Sequence, residues 1–461
     1  MKIPQLVYCV ASFGMIAYLT SKAERKWFFF IVLSWLFSTP IIGDQNYPVC
    51  LHFAGIDLQP SRILFLFLLA MLLLFIVLAK VNGKSLLEYS VNRIRFFELV
   101  MFIYVWITIL LMVVMKEMST QGIVVKSVEL STFILLYFFA RENISSNDLH
   151  LLALSIITFA VLSSLVGVYQ FFGDSSFLRI GGPRVAFGSY IRASGLFPEE
   201  YDQGIFLNIS LVVGIFTLQN RWGKSIILTT IPLGLFCTMH RASWVVFVLI
   251  LGIMFLKEIR NRYMWAAIFI GGICVILLLF IVLNISLPGN FSGNFLDMLM
   301  RGRLFANTVD ERINYYKFAL EMMQKYPLGI GDYNTGVYAK EVYDRSTGLA
   351  SSIVPSLVIH NGFLSVGVKT GFLGFILFIS FVLASIIHFF KNSIQKGKFW
   401  LAPLMIMIIF LLQNLTNDFS SLGSQKCLTI ALLVGGYVSA KNLQYLPKFN
   451  IQPFVKGTQY S

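Results

Sequence analysis

The chain has 461 residues, of which 57% are hydrophobic and 13% are charged, and its mean hydropathy is +0.77. Soluble domains carry about a quarter charged residues, so this composition excludes an ordinary soluble domain and indicates an integral membrane protein. The net charge of +14 resides in short Lys and Arg clusters between apolar segments, and this placement argues against nucleic-acid binding. The five scattered cysteines show no metal-ligand spacing, so we expect neither a metal centre nor a cofactor.

The predicted elements, in chain order, are apolar segments that approach the length needed to cross a bilayer, about 20 residues. Pro40 interrupts the second segment, so twelve or thirteen spans fit the sequence. The first segment lacks a strong basic start and a small-residue cleavage site, and we interpret it as a retained helix. We therefore predict an all-α fold, a polytopic membrane helical bundle of about 12–13 transmembrane helices. The segments lie near 3–20, 27–43, 63–79, 97–115, 123–140, 149–171, 203–219, 224–239, 243–257, 264–286, 362–388, 399–416 and 425–439.

The basic residues of the short loops predict the orientation of these helices. Lys and Arg accumulate in alternate loops, while the intervening short loops are nearly free of them. Because positive charge stays on the cytoplasmic side, the basic loops are predicted to be cytoplasmic. The loops 172–202 and 287–361 and the turn at His240-Arg241 then lie outside. We divide the chain into N-terminal transmembrane helices (1–286), a large extracytoplasmic loop (287–361), C-terminal transmembrane helices (362–440) and a cytoplasmic tail (441–461).

The loop 287–361 is the largest polar element of the chain. Its residues Asp310 to Tyr326 have the apolar spacing of an amphipathic helix, with Ile313, Tyr316, Leu320 and Met323 on one stripe. The sequence Pro327-Leu328-Gly329-Ile330-Gly331 ends that helix with turn chemistry. A loop longer than about 15 residues within a compact fold is usually functional or disordered. The helical pattern favours function.

Three basic positions on the predicted outer side suit an anionic, lipid-linked substrate. Arg241 lies in a tight turn between two spans, where an arginine is expected to face a cavity or an anion, or else to reach the lipid headgroups. Arg312 lies near the start of the loop helix, after Arg301 and Arg303, and the set predicts either a diphosphate site or a solvated charged face. His360 is the third position. Its neutral imidazole can take a proton from a sugar hydroxyl, although a lone histidine is more often structural.

The loop 172–202 adds further candidates for substrate contacts. Arg192 is a candidate anion contact, and Glu199 and Glu200 are candidates for hydrogen bonds to a sugar or for an alternative base. Adjacent carboxylates in an extended segment point apart, so these two do not predict an acid/base pair. HExxH, GxSxG and P-loop motifs are absent from the sequence, which argues against protease, serine-hydrolase and nucleotide-driven chemistry.

Several motifs in the region from about 190 to 390 resemble those of the O-antigen ligase and O-antigen polymerase superfamily of bacterial membrane glycosyltransferases. His360-Asn361-x-x-Leu364 with Gly371-x-x-Gly374 resembles the signature of the superfamily. Arg312-x-x-x-Tyr316, followed by the turn from Pro327 to Gly331, is similar to its arginine helix and PxxGxG turn. His240-Arg241-Ala242-Ser243-Trp244 resembles its Ser-Arg-Gly-Ala-Trp turn, and Ser194-Gly195-Leu196-Phe197 resembles a fourth element.

The resemblance implies transfer of a glycan from undecaprenyl diphosphate to an acceptor hydroxyl, outside the inner membrane and without metal or nucleotide. Arg241 and Arg312 would bind the diphosphate, and His360 would be the general base of an inverting reaction. Arg192, Glu199, Arg303, Asn361 and Tyr316 are the expected substrate-binding residues. The implied partners are an undecaprenyl-diphosphate-linked oligosaccharide, an acceptor glycan or lipid A-core, and membrane lipids. The resemblance also allows a flippase and a chain-length regulator as protein partners.

The sequence leaves the acceptor open. A polymerase joins one lipid-linked glycan to the next, and a ligase transfers the glycan to lipid A-core, with the same donor chemistry. The stretch 197–201 departs from the asparagine-containing pattern of the superfamily, which favours the polymerase. The alternatives are the ligase and, from another class, a polysaccharide flippase or transporter. Transporters carry paired repeats and ionisable groups near the middle of the membrane, and neither pattern stands out here.

Overall fold

The computed structural model describes residues 3–24, 26–38, 51–53, 56–58, 66–67, 70, 94–114, 120–179, 185–187, 190–218, 220–258, 308–331, 361–416 and 425–439. Twelve α-helices account for most of these described residues. They are α1 (Ile3–Lys22), α2 (Lys26–Ser38), α3 (Phe96–Val114), α4 (Thr120–Asn143), α5 (Ser146–Phe172), α6 (Glu200–Thr217), α7 (Arg221–Cys237), α8 (Arg241–Glu258), α9 (Thr308–Lys325), α10 (Gly362–Lys396), α11 (Leu401–Thr416) and α12 (Gln425–Ser439), with a short 3-10 helix at Lys398–Trp400.

The predicted class, a helical membrane protein, is confirmed by the described helices. Three of them are long and apolar enough to cross a membrane: Phe96–Val113, Ser146–Phe172 and Gly362–Gln395. Shorter apolar helices occur at Arg241–Ile253 and Leu401–Leu415, among others. The predicted spans near 63–79 and 264–286 lie largely or wholly outside the described residues, so the total number of spans and the division into 1–286, 287–361, 362–440 and 441–461 stay predictions.

Two short β-hairpins fall in segments that the sequence analysis treats as loops. β1 (Leu51–Phe53) pairs with β2 (Ile56–Leu58), and β3 (Val185–Phe187) pairs with β4 (Tyr190–Ile191), both antiparallel. They amend the predicted all-α class without changing the architecture, because each pair is only two or three residues long. Pairs this short are turn structures attached to helices rather than a sheet layer.

Most of the described helices pack around an apolar core that is rich in phenylalanine. α10 packs against α3 and α11, α4 packs against α12, and α5 packs against α6 and α7. Phe378 of α10 is fully buried, and its ring lies 5.2 Å from that of Tyr104, 5.5 Å from that of Phe363 and 6.0 Å from that of Phe410. Aromatic rings at these spacings contribute packing energy beyond the burial of their area. α10 is therefore the central helix of the described bundle.

One end of the bundle is held by a buried carboxylate. Glu98 of α3 is fully buried and accepts hydrogen bonds from Arg95 Nη1 at 2.8 Å, Arg141 Nη1 at 3.0 Å and Tyr137 Oη at 2.6 Å. A buried charge is costly unless it is paired and hydrogen-bonded, and both carboxylate oxygens of Glu98 accept hydrogen bonds. The cluster joins the start of α3 to the end of α4. A second buried carboxylate joins the end of α1 to the start of α5, because the Glu24 N–H donates to Asp148 Oδ1 at 2.9 Å.

Candidate functional site

The turn between α7 and α8 carries the first predicted arginine. Arg241 is the first residue of α8 and is exposed. Trp244 Nε1 donates to the Leu235 carbonyl at 2.8 Å, and His240 Nδ1 lies 2.7 Å from Ser243 Oγ. These two contacts fix the turn from both sides. The exposed arginine stands at a helix N-terminus, where the helix dipole favours an anion.

Buried polar side chains from three helices meet at Ser243. The Asn208 amide donates to the Ser243 carbonyl at 3.0 Å, and the Gln413 amide lies 3.4 Å from Ser243 Oγ. All three residues are fully buried. A Cβ added at Gly204 would also contact the Ser243 side chain, so α6 approaches α8 closely at this point. The Arg241 turn is thus attached to both α6 and α11.

Asn361, a predicted substrate-binding residue, has a structural role at the start of α10. Its Oδ1 accepts from the Leu364 N–H at 3.1 Å and caps the helix, and its Nδ2 donates to the Leu415 carbonyl of α11 at 3.4 Å. Leu415 lies two residues after Gln413, a rise of about 3 Å along a helix. Asn361 and the Arg241 turn therefore contact the same turn of α11. His360, which immediately precedes Asn361, lies outside the described residues.

The second predicted arginine lies on α9. The backbone of Arg312 is in the second turn of this helix, and its side chain lies outside the described residues. Tyr316, one turn further, is half-buried. The predicted helix from Asp310 to Tyr326 is confirmed as Thr308–Lys325. Its apolar face packs against α10 through a buried cluster of Phe318, Ala319, Met322, Met323, Ile330 and Val368.

Two motifs of the sequence analysis, the turn from Pro327 to Gly331 and the glycine at 371, contact each other directly. α10 departs from helical geometry at Gly371, where φ is 70° and ψ is −171°. The Ile330 N–H donates to the Val368 carbonyl at 2.9 Å, and the Phe372 N–H donates to the Pro327 carbonyl at 2.9 Å. The turn therefore satisfies backbone groups that the broken helix leaves without intrahelical partners.

Arg192, another predicted substrate-binding residue, is held by an ion pair. Its Nη1 lies 2.7 Å from Glu200 Oε1, and its carbonyl accepts from Arg179 Nη2 at 2.6 Å. Glu200 is nearly fully buried. This pairing orders the segment before α6 and engages part of the guanidinium that the sequence analysis assigns to substrate. Glu199 is half-buried at the N-cap of α6, where its side chain makes no capping hydrogen bond.

Buried amides that are not among the predicted site residues shape this end of the bundle. Gln170 of α5 donates to the Gly195 carbonyl at 2.8 Å and accepts from the Gly195 N–H at 2.9 Å. Gln170, Asn208 and Gln413 are fully or almost fully buried. Each is an isolated polar residue in an apolar segment, and that signal alone marks a functional or supporting position in a membrane protein.

The described residues bring together some of the predicted site and leave the rest untested. Asn361 and Ser243 of the Arg241 turn both contact the end of α11, whereas Arg192 pairs with Glu200. His360 and Arg303 lie outside the described residues. In the part of the chain that the structure describes, no group of three or more His, Cys, Asp or Glu side chains is arranged to hold a metal.

A comparison with protein families matches residues 225–379 to a family described as O-antigen ligase. The matched region holds the Arg241 turn, α9, the turn from Pro327 to Gly331 and the break at Gly371. A comparison with curated proteins finds no match. The family indicates a glycosyl-transferring membrane enzyme of the ligase or polymerase type. Residues 225–379 therefore confirm the resemblance of this chain to the O-antigen ligase and O-antigen polymerase superfamily.

Proposed function

We propose that this protein transfers a glycan from undecaprenyl diphosphate to an acceptor sugar hydroxyl at the extracytoplasmic face of the bacterial inner membrane. The observation that carries the proposal is the shared contact on α11. Ser243, two residues after Arg241, contacts Gln413, and Asn361, the residue after His360, contacts Leu415. Both motifs belong to the region that matches the O-antigen ligase family.

The donor side of the reaction needs charge stabilisation. When the acceptor oxygen attacks the anomeric carbon, the bond from that carbon to the diphosphate oxygen breaks and its electron pair stays on the diphosphate. Arg241 and Arg312 stabilise this leaving group through charge-assisted hydrogen bonds, each worth about 1.5–3 kcal/mol. The N-terminus of α8, which begins at Arg241, adds a favourable dipole for the same anion.

The acceptor side needs a base. His360 takes the proton of the acceptor hydroxyl as the new glycosidic bond forms, a contribution of about 10²–10⁴-fold for a positioned general base. Attack from the side opposite to the diphosphate inverts the anomeric centre. The donor bond is already activated, so the proposed mechanism uses neither a metal ion nor a nucleotide.

We favour a polymerase over a ligase on the acceptor side. The stretch 197–201, which departs from the superfamily pattern, divides into two parts. Phe197 is buried against the rings of Phe159 and Phe206 and serves the core. Tyr201 lies with its ring 6.4 Å from that of His240, beside the Arg241 turn. The residue that departs from the pattern and lies next to the site is therefore aromatic, and aromatic rings suit stacking on a second sugar chain.

The acceptor is tested with purified protein in liposomes. Undecaprenyl-diphosphate-linked repeat units from the encoding bacterium are supplied alone, and the products are separated by size. Glycan chains of increasing length are the expected result for a polymerase. Product formation only after addition of lipid A-core would reject the polymerase and support the ligase. Movement of the lipid-linked unit across the bilayer without any glycan transfer would reject both enzymes and support the transporter.

A further inference from the structure

The break in α10 leaves carbonyl groups that a continuous helix would pair. Gly371 has a φ of 70°, so the helix does not pass through it regularly. The Val368 carbonyl accepts instead from the Ile330 N–H at 2.9 Å, and the Lys369 carbonyl accepts from the Gly331 N–H at 3.0 Å. The turn after α9 thus supplies two donors to the broken helix.

A third hydrogen bond runs in the opposite direction. The Phe372 N–H, the first after the break, donates to the Pro327 carbonyl at 2.9 Å. The two segments are therefore joined by backbone hydrogen bonds on both sides of Gly371. We call the turn 327–331 and the segment 368–372 together the glycine joint.

The glycine joint requires glycine at two positions. A Cβ added at Gly329 would lie 2.6 Å from the nitrogen of Gly371, and one added at Gly371 would lie 2.5 Å from the carbonyl carbon of Leu328. Both contacts are with backbone atoms, which cannot move aside as a flexible side chain would. The φ angles of 89° at Gly329 and 70° at Gly371 also favour glycine.

Side-chain packing continues the joint along α9. A Cβ added at Gly367 would lie 2.5 Å from Met323 Sδ, so the two helices approach closely at that point. Met323 is nearly fully buried, as are Met322 and Phe318. The joint and this apolar face hold α9 against α10 over more than one helical turn.

Two predicted catalytic residues depend on these helices. Arg312 lies on α9, and His360 immediately precedes the cap of α10. We propose that the glycine joint is the positioning element of the active site: Gly329 and Gly371 hold the helix of Arg312 in a fixed register with the helix that follows His360. This proposal rests on the proposed glycan transfer. A displacement of about 1 Å at a site of this kind costs roughly 10²-fold in rate.

The first test substitutes the joint glycines. Gly329→Ala and Gly371→Ala are expected to lower kcat about 100-fold and also to raise the KM for the lipid-linked donor, because Arg312, which contacts the diphosphate in the proposed mechanism, moves out of register with the helix that follows His360. Gly397→Ala is the matched control. Gly397 also has a positive φ, 94°, but no atom lies within 4 Å of its added Cβ. The Gly397→Ala variant should retain kcat. That result would show that strain at a positive φ does not by itself lower the rate, so the loss in the joint variants comes from lost docking. Wild-type kcat in both joint variants would overturn the proposal.

The second test restores the register by a covalent bond. Replacing Met323 and Gly367 by cysteine removes the methionine sulfur and places two thiols where α9 and α10 approach closely, and thiol titration before and after oxidation reports whether the disulfide forms. In an otherwise unchanged chain, the oxidised protein should transfer glycan as well as the reduced one. Transfer by the reduced form alone would show that α9 must move and would overturn the proposal. This variant decides the question even if the alanine variants fail to fold.

The same cysteine pair provides a rescue. In the Gly329→Ala background, oxidation should recover at least about 10-fold of the lost kcat, and a reductant should remove the gain. If the disulfide forms and kcat does not recover, the loss of kcat has a cause other than lost register, and the proposed role of the glycine joint is rejected. Failure of the proposed function is distinguishable, because the unsubstituted protein would then transfer no glycan while the cysteine pair still formed its disulfide.

Discussion

The side-chain amide of Asn361 donates to the carbonyl oxygen of Leu415 over 3.4 Å. Leu415 belongs to the last turn of α11, where carbonyl groups lack intrahelical partners and need donors from elsewhere. Two residues earlier, Gln413 contacts Ser243 of the Arg241 turn. The end of α11 is thus the common support of two motifs that lie more than a hundred residues apart in the chain.

Because Asn361 both caps α10 and contacts α11, substitutions at Asn361 should affect stability and glycan transfer separately. Asn361→Ser keeps a side chain that caps α10 but cannot reach Leu415, so its melting temperature should stay close to that of the unsubstituted protein while transfer falls about 10-fold. Asn361→Ala should lose the cap as well, at a cost of about 1 kcal/mol. Melting temperature and initial rate are measured on the same samples. Full transfer by the serine variant would show that the Leu415 contact has no role in the reaction.

Removal of the general base is expected to cause a large loss of transfer. His360→Ala should reduce transfer by about 10²–10⁴-fold without changing expression or membrane insertion, because only the proton acceptor is removed. Initial rates with the lipid-linked donor measure this loss. His150→Ala, in the first turns of α5, is the matched histidine control and should remain active. Wild-type rates for His360→Ala would remove His360 from the mechanism.

Substitutions of Arg312 should reduce glycan transfer by an amount that depends on both the charge and the shape of the new side chain. Arg312→Ala should abolish detectable transfer, and Arg312→Lys should recover only part of it, because lysine cannot form the forked contact with phosphate oxygens. Lys317→Ala removes an exposed cation from the same helix, α9, and should leave the rate unchanged. Equal losses in the Arg312 and Lys317 variants would indicate a general charge effect on donor association instead of a specific contact.

Removal of the Arg241 guanidinium should weaken recognition of the lipid-linked donor. Arg241→Ala should raise the KM for the lipid-linked donor and lower kcat, together about 10–100-fold for each charge-assisted hydrogen bond of 1.5–3 kcal/mol that is lost. Arg221→Ala is the control, because Arg221 is also the exposed first residue of a helix, α7. The assay is a titration of the donor at saturating acceptor. A change confined to protein yield would contradict the assigned contact.

The sequence predicts the helices of this fold much better than their contacts. The predicted spans 97–115 and 149–171 correspond to Phe96–Val114 and Ser146–Phe172, and the loop helix agrees equally well, because long apolar runs and 3.6-residue periodicity are local signals. The docking of Gly329 against Gly371 joins residues far apart in the chain through backbone atoms. Backbone hydrogen bonds of that kind leave no periodic pattern, so the glycines predict turns but not their partner.

The candidate site is predictable to a similar, limited degree. The motif around Arg241 predicts a tight turn between two spans, and the structure has the end of α7 at Cys237 and the start of α8 at Arg241. Arg192 illustrates what the sequence does not predict. Nothing in the sequence of this polar loop indicates that Arg192 pairs with Glu200, eight residues later. Whether a charged side chain serves a substrate or a neighbouring residue depends on tertiary contacts, which neither composition nor spacing encodes.

The buried cluster at Glu98 predicts a loss of stability that leaves the chemistry intact. Phe97 packs its ring 5.1 Å from that of His388 on α10, and His388 lies 17 residues beyond the break at Gly371, about 25 Å along a helix. The cluster is therefore remote from the proposed site. Glu98→Ala removes the buried carboxylate partner of Arg141 and leaves only the exposed carboxylate of Glu142 beside it, and breaking a buried pair costs about 3–5 kcal/mol.

Glu142→Ala is the matched substitution. Glu142 also pairs with Arg141, at 3.2 Å, but its side chain is 50% exposed, so its removal should cost under about 1 kcal/mol. Melting temperatures in detergent should fall by several degrees or more for Glu98→Ala and hardly at all for Glu142→Ala. Transfer per folded molecule, measured well below both melting temperatures, should match that of the unsubstituted protein. A lower kcat in folded Glu98→Ala would mean that this remote end of the bundle is coupled to the proposed catalytic end, since the variant removes no group near Arg241 or Asn361.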